Sequence, residues 1–240
     1  MKKQIVSCIW EHNGTDTLLY VQDYPGAYSR GASLEEAKMK LSQEVSAYCR
    51  WSGSLSAAAI ETDIVCDIPS SLNIADADSD VLFPTESKPL TEEEYRNLKA
   101  LALRSAEDFH QLYMAVPDKT YPISPQRKTF YGYLPCTAEE MYQHTKNVNS
   151  YYFGEIGIDA DNWGTILECR VRGFQALEET QDYLQSKEVC GSYGEAWSVR
   201  KVLRRFIWHD RIHAKALYRR SIVAFGFGNV PDIFSFEQKK

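Results

Sequence analysis

Residues 197–221 read WSVRKVLRRFIWHDRIHAKALYRRS. Val199, Val202, Phe206, His209, His213, Ala216 and Arg220 recur at steps of three and four, which places them on one face of an α-helix. Lys201, Arg204, Arg211, Lys215 and Arg219 lie mostly away from that face. Two imidazoles thus stand where a buried helix normally carries Leu or Ile. His side chains at i and i+4 project from adjacent turns about 5–6 Å apart and can share one metal ion. A histidine on a buried face is also met as a core residue satisfied by a backbone carbonyl, so the pair alone leaves both readings open.

Upstream, residues 165 to about 184 read as a helix with Ile166, Cys169, Gly173, Leu177 and Thr180 inward, small where a neighbour or ligand needs room. Before it, Thr137 and Glu140 form a capping box. The helix they open presents Met141, His144, Val148, Tyr151 and Glu155 on one side. Thr91 and Glu94 make another capping box, for a helix to about Ala115 with Leu98, Ala102, Ser105, Phe109 and Leu112 as its stripe. His110 falls about 100° off that stripe and reads as a surface histidine. Residues 118–135, with Pro122, Pro125 and Pro135, read as a long loop. Four amphipathic helices predict an all-α four-helix bundle over residues 91–240, and the core of such a bundle is a usual place for a metal site. Three of the five histidines (His144, His209 and His213) face inward, from two helices.

TAEEMYQHTKNVNSYYFGEIG (137–157), followed by HDRIHAKAL (209–217), resembles the DinB-like (DinB/YfiT) family. The resemblance covers about residues 90–225. It implies an up-down-down-up bundle in which one His from the second helix and an H-x-x-x-H pair from the fourth bind a divalent metal. By position those ligands are His144, His209 and His213. Three neutral imidazoles leave positions open on Zn²⁺, Ni²⁺ or a similar ion, as in a catalytic rather than a structural site. Relatives in that family include S-transferases using low-molecular-weight thiols such as bacillithiol or mycothiol, and metal-dependent hydrolases or isomerases. Candidates for work beside the metal are Arg205, Tyr151, Asn147, Glu140 and Arg220. Each also has a plain structural reading: Glu140 already serves as a cap, and Arg205 can be solvated.

The N-terminal part has another character. Residues 4–11 and 17–22 are rich in β-formers and flank Asn13-Gly14, a hairpin signal. Ser33 with Glu36 opens a helix to about Arg50, with Ala37, Leu41, Val45 and Tyr48 buried. Residues 61–69 read as a further strand, so the expected order is β-β-α-β. Asp23, Pro25, Gly26, Gly31, Ser33, Glu35, Glu36 and Ala37 match D-x-P-G-x-x-x-x-G-x-(S/T)-x-E-E-A, which resembles the HicB-like small domain over roughly residues 1–70. HicB antitoxins partner a small toxin ribonuclease and often carry a DNA-binding appendix, and neither that appendix nor a basic patch is found here. The expected organisation is two domains: a small α+β unit at 1–70, a polar, proline-bearing linker at 71–90 in which Val81, Leu82 and Phe83 are apolar enough to pack, and the helical unit at 91–240.

Composition narrows the function. The chain has 240 residues, 44% of them hydrophobic and 25% charged, which suits one large domain or two small ones. Residues 1–86 hold 6 Lys+Arg against 13 Asp+Glu, whereas residues 87–240 hold 21 against 20. This balance gives no nucleic-acid footprint. No apolar run approaches the ~18–20 residues of a membrane span, and Glu11, His12 and Asn13 end the first apolar run too early for a signal peptide. Six scattered cysteines without a CxxC pair read as reduced thiols of the cytoplasm. Two classes of function follow. In the first, the protein is a metal-dependent thiol transferase or hydrolase acting on a small molecule. In the second, the metal only staples the bundle while the HicB-like module binds another protein or a second copy of the chain.

Overall fold

The computed structural model describes residues 4–54, 59–76, 78–129 and 132–237. The chain runs β1 (Gln4–His12), β2 (Thr17–Val21), β3 (Tyr28–Gly31), α1 (Leu34–Ser52), β4 (Ile60–Pro69), α2 (Glu92–Ala115), β5 (Lys128–Thr129), β6 (Gly132–Tyr133), α3 (Ala138–Glu155), α4 (Ile166–Glu178), β7 (Val189–Cys190), β8 (Ala196–Trp197) and α5 (Val199–Phe225).

The N-terminal sheet has the order β3-β2-β1-β4. β1 and β2 form the antiparallel hairpin that Asn13-Gly14 predicts, and β4 returns parallel to β1 after α1. The order is therefore β-β-β-α-β rather than β-β-α-β. The extra strand, Tyr-Ser-Arg-Gly, is four residues long and carries no apolar alternation to announce it. Every residue of β2 is buried, because both faces of the sheet are covered. α1 covers one face with Ala37, Leu41, Val45 and Tyr48, and the other packs on Ile74, Val81, Phe83 and Trp208.

The C-terminal part is not the expected all-α, up-down-down-up four-helix bundle. The antiparallel pairs β5-β6 and β7-β8 lie within it, the second reaching Trp197, so the chain is mixed α and β throughout. Local rules nonetheless hold where the expectation used them. Thr91–Glu94 and Thr137–Glu140 are both complete capping boxes, and Thr165–Glu168 forms a third. α4 stops at Glu178, before Leu184, and Thr180 lies outside it. The space beside Gly173 is filled by Phe153: a Cβ there would meet its ring at 2.1 Å.

α5 is the axis of the molecule. From Val199 to Arg211 every residue but Arg200 is buried, including Lys201, Arg204 and Arg211, which the face pattern placed toward solvent. The cause is that Glu44, Ser79, Asp80 and Glu86 of the N-terminal part lie against that side. Glu86 pairs with Arg204, whose Nε donates at 2.5 Å, and Glu44 pairs with Arg211 at 2.8 Å. Arg205 donates to the Ser79 carbonyl and Lys201 to that of Asp80. Gly26 approaches α5 so closely that a Cβ would sit 2.5 Å from Ile207 Cγ2, and its φ of +93° suits glycine. The stretch 71–90, read as a linker, is packed at Ile74, Val81, Phe83 and Leu90. One contiguous cluster of buried side chains joins Val6, Leu41 and Trp51 to Phe109, Phe153 and Phe206.

Candidate metal centre

His209 and His213 stand one turn apart on α5 and face α3, which carries His144 two turns inside its Thr137 cap. Their rings converge. Centroids are 4.3 Å apart for His209–His213, 4.7 Å for His144–His213 and 5.4 Å for His144–His209. One nitrogen from each ring lies within 4.8 Å of the other two. His209 Nε2 and His213 Nε2 are 3.1 Å apart. Two nitrogens at ~2.0–2.1 Å from one tetrahedral ion stand about 3.3 Å apart, so the spacing fits a shared ion. A single hydrogen bond between neutral rings has the same length, so the third ring and the surroundings bear on which it is.

His209 is buried, His213 half-buried and His144 exposed. Burial pushes the pKa of His209 and His213 well below the ordinary histidine value of 6.5. The neighbouring imidazoles lower both further, as does Arg205 for His209 and Arg220 for His213. The His144 ring, drawn against the other two, is lowered by desolvation although the residue keeps an open edge. All three are thus neutral near pH 7, the form that ligates a cation. His209 Nδ1 is buried and has no hydrogen-bond partner among the described residues. His213 Nδ1 is 3.1 Å from Met141 Sδ, a weak acceptor.

Beneath the cluster, Asp210 fixes the helix. Arg170 NH1 and NH2 donate to its two oxygens at 2.6 and 3.2 Å, and Ser105 Oγ donates to Oδ2 at 2.6 Å. This fully buried unit ties α2, α4 and α5 together immediately after His209. Nothing in the face pattern marked it, because each of its charges reads alone as a solvated residue.

α3 is rotated from the expected phase. Its buried residues are Ala138, Met141, Tyr142, Thr145, Asn149, Tyr152, Phe153 and Glu155, so His144 lies at the rim of the packed face rather than at its centre. Tyr151 is consequently 37% exposed and Tyr152 faces the site, its ring edge-on to His209 at 5.9 Å. Met141 stands on the face the sequence indicated, and Tyr152 is the neighbour that it left out. The steps 138, 141, 145, 149 and 152 would have found it.

The five other candidates divide. Arg205 and Arg220 flank the imidazoles along α5. The first is buried among the rings of Tyr152, Trp197 and Trp208, and the second donates to Ser124 Oγ at 2.9 Å. Glu140 is the cap, accepting from the N–H groups of Cys136 and Thr137 at 2.7 and 3.2 Å. Asn147 is exposed, and its carbonyl accepts from Asn162 at 3.3 Å. Tyr151 packs on Trp197. Of the remaining histidines, His12 pairs with Asp67 at 2.9 Å, and His110 is half-buried rather than on the surface, 2.9 Å from the Tyr142 hydroxyl. All six cysteines are free thiols, and burial pushes Cys8 up to about 12. No helix among the described residues is long and apolar enough to cross a membrane.

No protein-family model matches the chain, and neither the curated proteins nor the solved structures contain a match. The DinB-like and HicB-like resemblances therefore stand on the quoted residues alone.

Proposed function

We propose that the protein binds one divalent metal ion, Zn²⁺ or Ni²⁺, at His144, His209 and His213 and uses it on a small molecule, as a transferase for low-molecular-weight thiols or as a hydrolase. The observation that carries this reading is the convergence of three neutral imidazole donors within 4.8 Å, one of them on an exposed residue. When bound, such an ion acidifies a coordinated water toward pKa ~7 or holds a thiolate as nucleophile. The chain's own part is to present the donors and shape the surroundings. Tyr152 walls the buried side of His209, and Arg205 and Arg220 keep positive charge on either side of the pair. That charge favours an anionic group arriving at the open edge. A staple needs a sealed ion, and the exposure of His144 speaks for the catalytic reading over the non-catalytic one. The free cysteines agree with a reducing compartment such as the cytoplasm.

The test uses the metal-loaded full chain with a low-molecular-weight thiol and an alkylating electrophile, and in parallel with activated esters and amides. Thiol consumption or hydrolysis should exceed the metal-free rate at least tenfold and fall to it in His213→Ala. A loaded protein that accelerates neither would contradict catalysis while leaving metal binding intact.

A further inference from the structure

A groove of about 480 Å³ opens where the N-terminal sheet meets α5. That volume lies within the ~300–1,000 Å³ typical of small-molecule sites. Ile212 and Ala216 line it and flank His213 on the neighbouring strip of α5, so groove and imidazole cluster are adjacent but separate surfaces.

Its charges do not balance. Four cations, Arg30, Lys40, Lys215 and Arg219, line it together with one carboxylate, Glu44. Glu44 is buried and already serves two cations, Arg211 at 2.8 Å and Lys215 at 2.6 Å. Arg211 is fully buried, yet its Nε and NH1 have no partner among the described residues. Lys40 is matched by Glu36 at 2.5 Å. Arg30 is held instead by the carbonyls of Ile74, at 3.2 Å, and Ala75, which fix the guanidinium without cancelling its charge. Arg219 is exposed and makes no hydrogen bond or ion pair among the described residues. Elsewhere three of the buried cations each have a carboxylate, Arg170 with Asp210, Arg204 with Glu86 and Lys201 with Glu195, and Arg205 is held by the Ser79 carbonyl among aromatic rings. In a chain of net charge −6 the positive surplus gathers here. Semi-buried cations without counter-charge are costly, and a bound anion relieves that cost.

The walls add a second requirement. Lys215 Nζ lies 5.5 Å from the Tyr28 ring and 5.7 Å from that of Phe236, and both rings are largely buried around the groove. Only the edges of these rings reach the groove, beside the half-buried Ile212 and Ala216, so an anion carrying an apolar body would fill the space better than a bare anion.

We propose that this groove binds a small phosphorylated molecule with an apolar body, its phosphate dianion held by Arg219, Lys215 and Arg30 and its body set against Ile212 and Ala216. The probes are adenosine monophosphate, inorganic phosphate and adenosine, titrated into the full chain by calorimetry, with line broadening of the phosphorus resonance as a second readout. Adenosine monophosphate should bind saturably and at least tenfold more tightly than inorganic phosphate, with adenosine weaker than either. Arg219→Ala, at an exposed position where misfolding is not at issue, should weaken the monophosphate at least tenfold. Arg219→Lys should retain most of the affinity, and His209→Ala all of it. Absence of saturable binding by both phosphate probes would overturn the proposal. So would equal affinity for adenosine and its monophosphate, or an unchanged affinity in Arg219→Ala.

Discussion

On α5, Lys201, Arg204 and Arg211 point to one side and His209 and His213 to the other, and the chain treats the two sides differently. Each cation meets a carboxylate, although Arg204 NH1 and Arg211 Nε and NH1 have no partner among the described residues. Glu86 lies against Arg204 with both side chains 5% exposed, and Lys201, whose ammonium burial pushes down to about 8, is held by Glu195 and two carbonyls. His209 is buried and His213 half-buried, yet both are offered almost nothing. His209 Nδ1 has no partner among the described residues, and His213 Nδ1 meets the Met141 thioether at 3.1 Å. A fold that supplies counter-charge to one face can supply it to the other, since buried polar groups in native cores are normally satisfied. The difference teaches that the cationic face belongs to the architecture. On the proposed reading, the imidazole face keeps its lone pairs for a metal ion.

The largest break of that contrast is to remove what answers the cations. A fragment starting at Ser87 loses Glu44, Glu86 and the carbonyls of Ser79 and Asp80, along with the apolar cover from the sheet. It should melt without a cooperative transition in circular dichroism, or aggregate. A sharp, fully reversible transition would show that α5 does not depend on its N-terminal partners. A smaller break is Glu86→Ala, which leaves the Arg204 guanidinium buried without its carboxylate. Loss of one partner of a buried pair costs about 3–5 kcal/mol, to be read from urea unfolding. A loss under 1 kcal/mol would mean that solvent reaches Arg204.

Much of this was legible beforehand. Ser33, Thr91 and Thr137 are read as helix starts from capping chemistry that is local, and all three cap in the structure. His209 and His213 share a face by spacing alone. What stayed hidden depends on distant partners: Arg204 meets Glu86 across 118 residues and Arg170 meets Asp210 across 40. No helical period can show that a lysine or arginine will be covered. β3 and the two-residue strands were missed because pairs so short are set by what they pack beside rather than by composition. The one-residue slip from Tyr152 to Tyr151 arose because α3 carries aromatics at adjacent positions.

pH sharpens the contrast more gently. The three imidazoles have native pKa values below 6.5, so on acidification the unfolded chain takes up their protons before the folded chain does. Stability is therefore fully present above pH 6.5 and should decline as pH falls through that value toward the lowered native ones. In metal-free protein the urea midpoint should drop between pH 7.5 and 5.5. A variant with all three histidines changed to Gln should show a shallower drop, and an equal drop would place the sensitive groups elsewhere.

The most direct measurement of the central claim is elemental analysis joined to calorimetric titration of the metal-free full chain with Zn²⁺ and Ni²⁺. About one ion per chain should bind, and at a free concentration a hundredfold above Kd it should raise stability by about 2.7 kcal/mol. His209→Ala or His213→Ala should abolish binding, while His12→Ala and His110→Ala, whose rings are engaged with Asp67 and Tyr142, should leave the stoichiometry unchanged. No bound metal and an unshifted unfolding curve, or a loss of metal on changing His110, would contradict the account.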